Sequence, residues 1–122
     1  MTQEVALVVG GIWDTVAKNI AAGSLAVVAA AGTTQATATP IVSSLSNVTT
    51  VGAGSGVILP AGSGAARMVV FNNQATNALL VYPPLGGTIG AGAANAGFSV
   101  PANKAVWLVT ADGVFWIPAL SA

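Results

Sequence analysis

Cysteine and histidine are both missing from this chain, and only six of its 122 residues are charged: Glu4, Asp14, Lys18, Arg67, Lys104 and Asp112. Without histidine there is no imidazole to move protons near neutral pH, and no Ser-His-Asp triad can form. Without cysteine there is no thiolate nucleophile, no soft ligand for zinc or an iron–sulfur cluster, and no disulfide. The three carboxylates make a poor glycosidase pair, because Asp112 is explained by a turn and Asp14 by a helix face. Zero net charge with three dispersed cations argues against a nucleic-acid partner, whose phosphates must be neutralised. The expectation is no catalytic residue, no metal and no cofactor.

Long hydrophobic runs are missing as well. The longest small-apolar stretch, 20–32, is interrupted by Ser24 and is shorter than the roughly 20 residues of a membrane helix. Lys18 is the first cation, so the basic start of a secretory signal is absent. Neither a membrane partner nor a leader is expected.

What is present is apolar and small. Hydrophobic residues make up 54% of the chain, 15 residues are glycine, and mean hydropathy is +0.81. Charged residues are 5%, where about 25% is usual. A lone domain of this size would struggle to cover itself with polar surface. A shared interface, in an oligomer or a docked subunit, resolves that shortage.

The chain divides into an N-terminal arm, 1–23, and a β-domain, 24–122. In the arm, Ile12, Trp13, Val16, Ala17 and Ile20 fall at helical spacing, with Asp14 and Lys18 paired on the opposite face. This predicts a short amphipathic helix over 12–22, too short to be stable unless it packs on its own domain or on a partner. Beyond Ser24 the pattern becomes β. Strands are predicted at 24–29, within 35–51, and at 57–59, 66–71, 79–82, 98–100, 105–110 and 114–117. Glycine, proline and asparagine punctuate them, and Pro40 is confined to an edge, a bulge or a strand start. Asp112-Gly113 is the strongest hairpin signal. The expected fold class is all-β: a small β-sandwich or barrel of short antiparallel strands with a short N-terminal arm or helix.

Trp107, Phe115 and Trp116 concentrate three of the seven aromatic residues in this last hairpin. Phe115 and Trp116 are adjacent and must point to opposite faces of their strand. One face therefore meets the core, and the other a neighbouring sheet or subunit. With Ile12, Trp13, Val16 and Ile20 of the arm, these three rings are the candidate partner or subunit interface.

Two further motifs are weaker. Gly52-Ala53-Gly54-Ser55-Gly56 lacks the following Lys-Ser/Thr and helix of a phosphate loop, and leads instead into Val57-Ile58-Leu59-Pro60. Gln74, Asn77 and Asn95 could serve a sugar together with exposed aromatics, although asparagine is ordinary in turns.

The string Val69-Val70-Phe71-Asn72-Asn73-Gln74-Ala75-Thr76-Asn77-Ala78-Leu79-Leu80-Val81-Tyr82-Pro83-Pro84 continues with Gly86, Thr88-Ile89-Gly90, Ala93-Ala94-Asn95-Ala96 and Phe98-Ser99-Val100. Together with Gln35-Ala36-Thr37-Ala38 and Gly54-Ser55-Gly56-Val57-Ile58-Leu59-Pro60, it resembles a module common in structural proteins of tailed bacteriophages. The likeness covers about 35–117. It implies a small all-β virion subunit, most plausibly a capsid decoration (cement) protein sitting as a homotrimer at threefold positions. Its partners would be the major capsid protein and its own copies. The chain would be made in the host cytoplasm and placed on the outer capsid surface, with the arm contacting the shell. The alternative is a tail, fibre or baseplate module that binds a carbohydrate receptor.

Overall fold

A computed structural model describes residues 25–62 and 64–121 of the chain. The arm at 1–23, its helix and its candidates Ile12, Trp13, Val16 and Ile20 lie outside the described residues. Those described form ten strands and no helix: β1 (Leu25–Ala29), β2 (Thr39–Pro40), β3 (Leu45–Thr50), β4 (Gly56–Ile58), β5 (Ala66–Asn72), β6 (Leu79–Tyr82), β7 (Thr88–Ile89), β8 (Phe98–Val100), β9 (Ala105–Thr110) and β10 (Phe115–Leu120). The all-β class holds.

The strands form two sheets. A long sheet has the order β1-β3-β5-β9-β10-β7, and a short sheet the order β2-β4-β6-β8. From β1 to β6 the chain alternates between them, so each strand pairs with the one two places earlier. Leu25 lies beside Leu45, and Leu45 beside Val69. In the short sheet Pro40 lies beside Ile58, and Ile58 beside Tyr82. The path is a solenoid with a coil of about twenty residues, a usual repeat length.

This corrects the expectation of a sandwich or barrel of antiparallel strands. The ladders β1–β3, β3–β5, β2–β4, β4–β6 and β7–β10 are parallel. Only β6–β8, β5–β9 and β9–β10 are antiparallel. Short strands separated by turns suggested hairpins, but most of these turns carry the chain across to the other sheet. A parallel pair needs a long crossover, and here a strand of the opposite sheet supplies it. After β6 the chain reverses. β8 and β9 each run against the last coil, and β10 completes the hairpin predicted at Asp112-Gly113.

Alternation along each strand sends one side chain inward and the next outward. Val48, Met68, Val70, Val106, Leu108 and Trp116 of the long sheet meet Val57, Leu79, Val81 and Val100 of the short sheet in one core. Burying each valine or leucine contributes about 1.5–3 kcal/mol. Pro40 sits on β2, an edge strand, as its missing N–H requires. Pro118, within β10, pairs with Leu108, while β7 ends level with Trp116. No donor is needed on that side.

Tyr82 locks the coils from the outer side of the short sheet. A Cβ added at Gly56 would lie 2.7 Å from the Tyr82 ring and 2.7 Å from the Leu80 carbonyl oxygen. At Gly97 it would lie 3.0 Å from the other edge of the ring. The ring thus occupies a slot that only glycines leave open, and its hydroxyl donates to the Thr33 carbonyl at 3.3 Å. Gly56→Ala should cost about 1–3 kcal/mol through overpacking, measured by chemical denaturation. Gly62→Ala, where an added Cβ meets nothing within 4 Å, should stay within about 0.5 kcal/mol of wild type.

Candidate functional site

The outward side chains of the long sheet form three rows. Across one, Leu45, Val69, Trp107 and Ala119 stand side by side; across the next, Val27, Asn47, Phe71 and Ala105. The third places Arg67, Val109 and Ile117 together. Phe115 follows the hairpin turn on the same face. Asn47 and Arg67 are the polar members of these rows. Val27 is 70% exposed, Ile117 57%, Trp107 48% and Phe115 47%. At the Arg67 end the face sinks into an open depression of about 550 Å³, lined by Ala65, Ala66, Arg67, Val109, Thr110, Ala111 and Ile117.

An outward face facing water normally alternates polar with the apolar inward positions, whereas parallel sheets are as a rule covered on both sides. This face has the composition of a covered one. Outside it, Val42, Leu85 and Val114 are exposed large hydrophobics on loops and turns, and Leu120 ends β10. Contiguity across five strands makes the sheet face the candidate site.

Two of the three hairpin candidates lie on this face. Trp107 and Phe115 are there, and Phe115 points opposite to Trp116 as strand alternation requires. Trp116 is completely buried in the core and leaves the candidate interface. Its position follows from Phe115 pointing outward. Sequence reading missed Val27, Val69, Val109 and Ile117, which come from four strands and share a face only through the pairing of strands, parallel from β1 to β5 and antiparallel from β5 to β10.

The turn that presents Phe115 is tightly built. Asp112 Oδ1 accepts from the Val114 N–H at 2.9 Å and from the Phe115 N–H at 3.0 Å. Thr110 Oγ1 donates to the Phe115 carbonyl at 2.7 Å and accepts from the Gly113 N–H at 2.8 Å. Gly113 has a φ of 82°, the left-handed conformation such a turn uses. The Val114 and Phe115 donors hold the Asp112 carboxyl below its ordinary value.

The polar residues weighed as a sugar site are engaged otherwise. Asn77 Nδ2 donates to the Val51 carbonyl at 2.8 Å, and Gln74 Nε2 to the Thr49 carbonyl. Asn95 Oδ1 accepts from the Gly86 N–H at 2.6 Å and from Gln35 Nε2 at 3.1 Å, while Gln35 also donates to the Pro83 carbonyl at 2.8 Å. Asn72, fully buried, donates to the Asn77 and Val100 carbonyls at 2.9 and 3.0 Å. Much of the recognisable string is therefore hardware that fastens turns to strands. The amide chemistry is thus partly spent on the fold: Gln74 and Asn77 each commit one N–H, and Asn95 its carbonyl oxygen.

Among the described residues no group of three acidic, histidine or cysteine side chains could hold a metal. No helix among them is long and apolar enough to cross a membrane. The only described cations are Arg67 and Lys104, on a sheet face and in a turn.

Two outcomes are expected. Asn72→Ala removes one buried donor from two carbonyls and should cost about 1–3 kcal/mol, read from a denaturation midpoint. For Asp112 the folded carboxyl has the lower pKa, so its stabilisation is complete above the unfolded value and fades as pH falls through the folded one. The stability advantage of wild type over Asp112→Asn should hold at neutral pH and shrink below about pH 4, followed by thermal melts across pH.

Comparison with protein-family models, with curated proteins and with solved structures finds no match to this chain.

Proposed function

We propose that this chain is a structural subunit of a phage virion that decorates and stabilises the head as a homotrimer on the outer capsid surface. The observation that carries the reading is the apolar outer face of the long sheet, which is built to be covered. The resemblance of 35–117 to phage structural modules supplies the setting, and the major capsid protein is the shell partner it implies. Catalysis has no support in a chain without histidine or cysteine and with three carboxylates.

Stabilisation by such a subunit is linkage: whatever binds the assembled shell and not its disrupted form shifts the equilibrium toward the shell by mass action. With so few charges, the contacts are apolar and hydrogen-bonded, and ionic screening has little to act on. The alternative, a tail, fibre or baseplate module binding a carbohydrate receptor, shares the need for a covered face. Its sugar-binding part loses ground because the candidate amides are engaged.

Light scattering on the purified chain should give three times the 11.8 kDa chain mass. A monomer of unchanged mass across concentration would overturn the trimeric reading. Added to phage heads, the protein should appear over the shell lattice by electron microscopy and stay bound in about 0.5 M NaCl, where the screening length is under 10 Å. Binding at the tail alone would favour the alternative.

A further inference from the structure

A closed ring of three identical copies cannot be made from one patch meeting itself. Self-complementary contacts build twofold pairs, and a threefold ring needs two different surfaces that fit each other head to tail. The outer face of the long sheet supplies one. Elsewhere among the described residues the exposed large hydrophobics are four, Val42, Leu85 and Val114 on loops and turns and Leu120 at the end of β10. The remaining apolar stripe in the chain is Ile12, Trp13, Val16, Ala17 and Ile20, in the segment outside the described residues.

Dimensions and position agree with that pairing. The face spans about five strands at ~4.8 Å and about five residues at ~3.3 Å, roughly 20 Å by 16 Å. Such a face meeting its own copy offers on the order of 300 Å² per partner, well below the ~800 Å² of a standard interface. The helix that the spacing of Ile12, Trp13, Val16 and Ile20 predicts over 12–22 would be about 16 Å long and 10 Å across, which fits the face. In a ring each copy contributes both a face and a segment, which doubles the area it buries. The segment also leaves from the right place. It joins the body at Leu25, on edge strand β1, with no described strand beyond it. The start of β1 lies at the same end of the sheet as Arg67, Val109 and Ile117, where the depression opens.

We infer that the outer face of the long sheet is the seat of residues 1–24 of the neighbouring copy, so that three exchanged segments close the trimer. The inference rests on the trimeric reading and says which surfaces make it. The segment expected to grip the shell instead joins subunit to subunit, and shell contacts fall to the loops. Apolar side chains of the stripe meet Trp107, Val109 and Ile117.

Cysteine chemistry tests this in the full chain, which has no cysteine of its own. Val16→Cys combined with Val109→Cys, bridged by a flexible bismaleimide, should give covalent trimers on a denaturing gel. The single-cysteine variants should not. Links confined within one chain, or no links, in a protein that scatters as a trimer would overturn the exchange while leaving the trimer standing. A dimer by light scattering, with face paired to face, would overturn the exchange and the trimer. A second variant guards against mispositioned cysteines. Val16→Asp should lower the mass from three chains to one and shift tryptophan emission to longer wavelength, with the β circular-dichroism signal retained. An unchanged trimer mass for Val16→Asp would overturn the inference.

Discussion

In β3 the backbone bonds β1 along one edge and β5 along the other, so the middle coil is held entirely by chain about twenty residues away on either side. That stacking is the constraint on which the rest depends. It makes the sheets parallel, and it leaves each strand's inward residues to meet those of the opposite sheet rather than those of a hairpin partner. Among the described residues it also leaves β1 as the edge of the first coil, while the last coil is sealed by the reversal through β8, β9 and β10.

The outer face follows from the same stacking. Parallel register aligns equivalent positions of successive coils, so Leu45 and Val69 stand level and the antiparallel β9 adds Trp107 to the row. Each side chain alone is an unremarkable exposed hydrophobic. Aligned, they form a continuous apolar surface. Arg67 and Asn47 supply too little polarity to make it a good water-facing sheet. The apolar character of the composition thus surfaces here as one contiguous face. Its other side carries a tyrosine packed between glycines and a set of amide clamps that hold the loops.

Those clamps bear on what the recognisable string means. Asn72, Gln74, Asn77, Tyr82, Pro83, Gly86 and Asn95 read as a signature, yet their polar groups serve turns and strand ends. Such a string can mark a scaffold without marking a ligand. Role then resides in surfaces that carry no motif. The functional reading consequently stands on the sheet face and on the physics of covering it.

Much was legible from local chemistry. Strands β5, β6, β8 and β9 lie within a residue of their predicted limits, because alternating apolar residues bounded by Gly, Pro and Asn leave little choice. The Asp112-Gly113 turn, the edge position of Pro40 and the opposition of Phe115 to Trp116 are similarly local, decided by a missing N–H, a side-chain acceptor or the two-residue period of a strand. Pairing was not legible. The spacing from Leu25 to Leu45 differs from that between Leu45 and Val69, and no side-chain motif repeats with the coil. The parallel partners and the two-residue strand β7 therefore had no signature. Which ring enters the core was likewise open, since Phe115 and Trp116 are both apolar and only the packing of two sheets distinguishes inside from outside. The sequence by itself determined that this chain is β-rich, poor in catalytic groups and in need of cover. The tertiary structure decided where that cover is needed, because register over long separations, not local propensity, places side chains from different coils on one face.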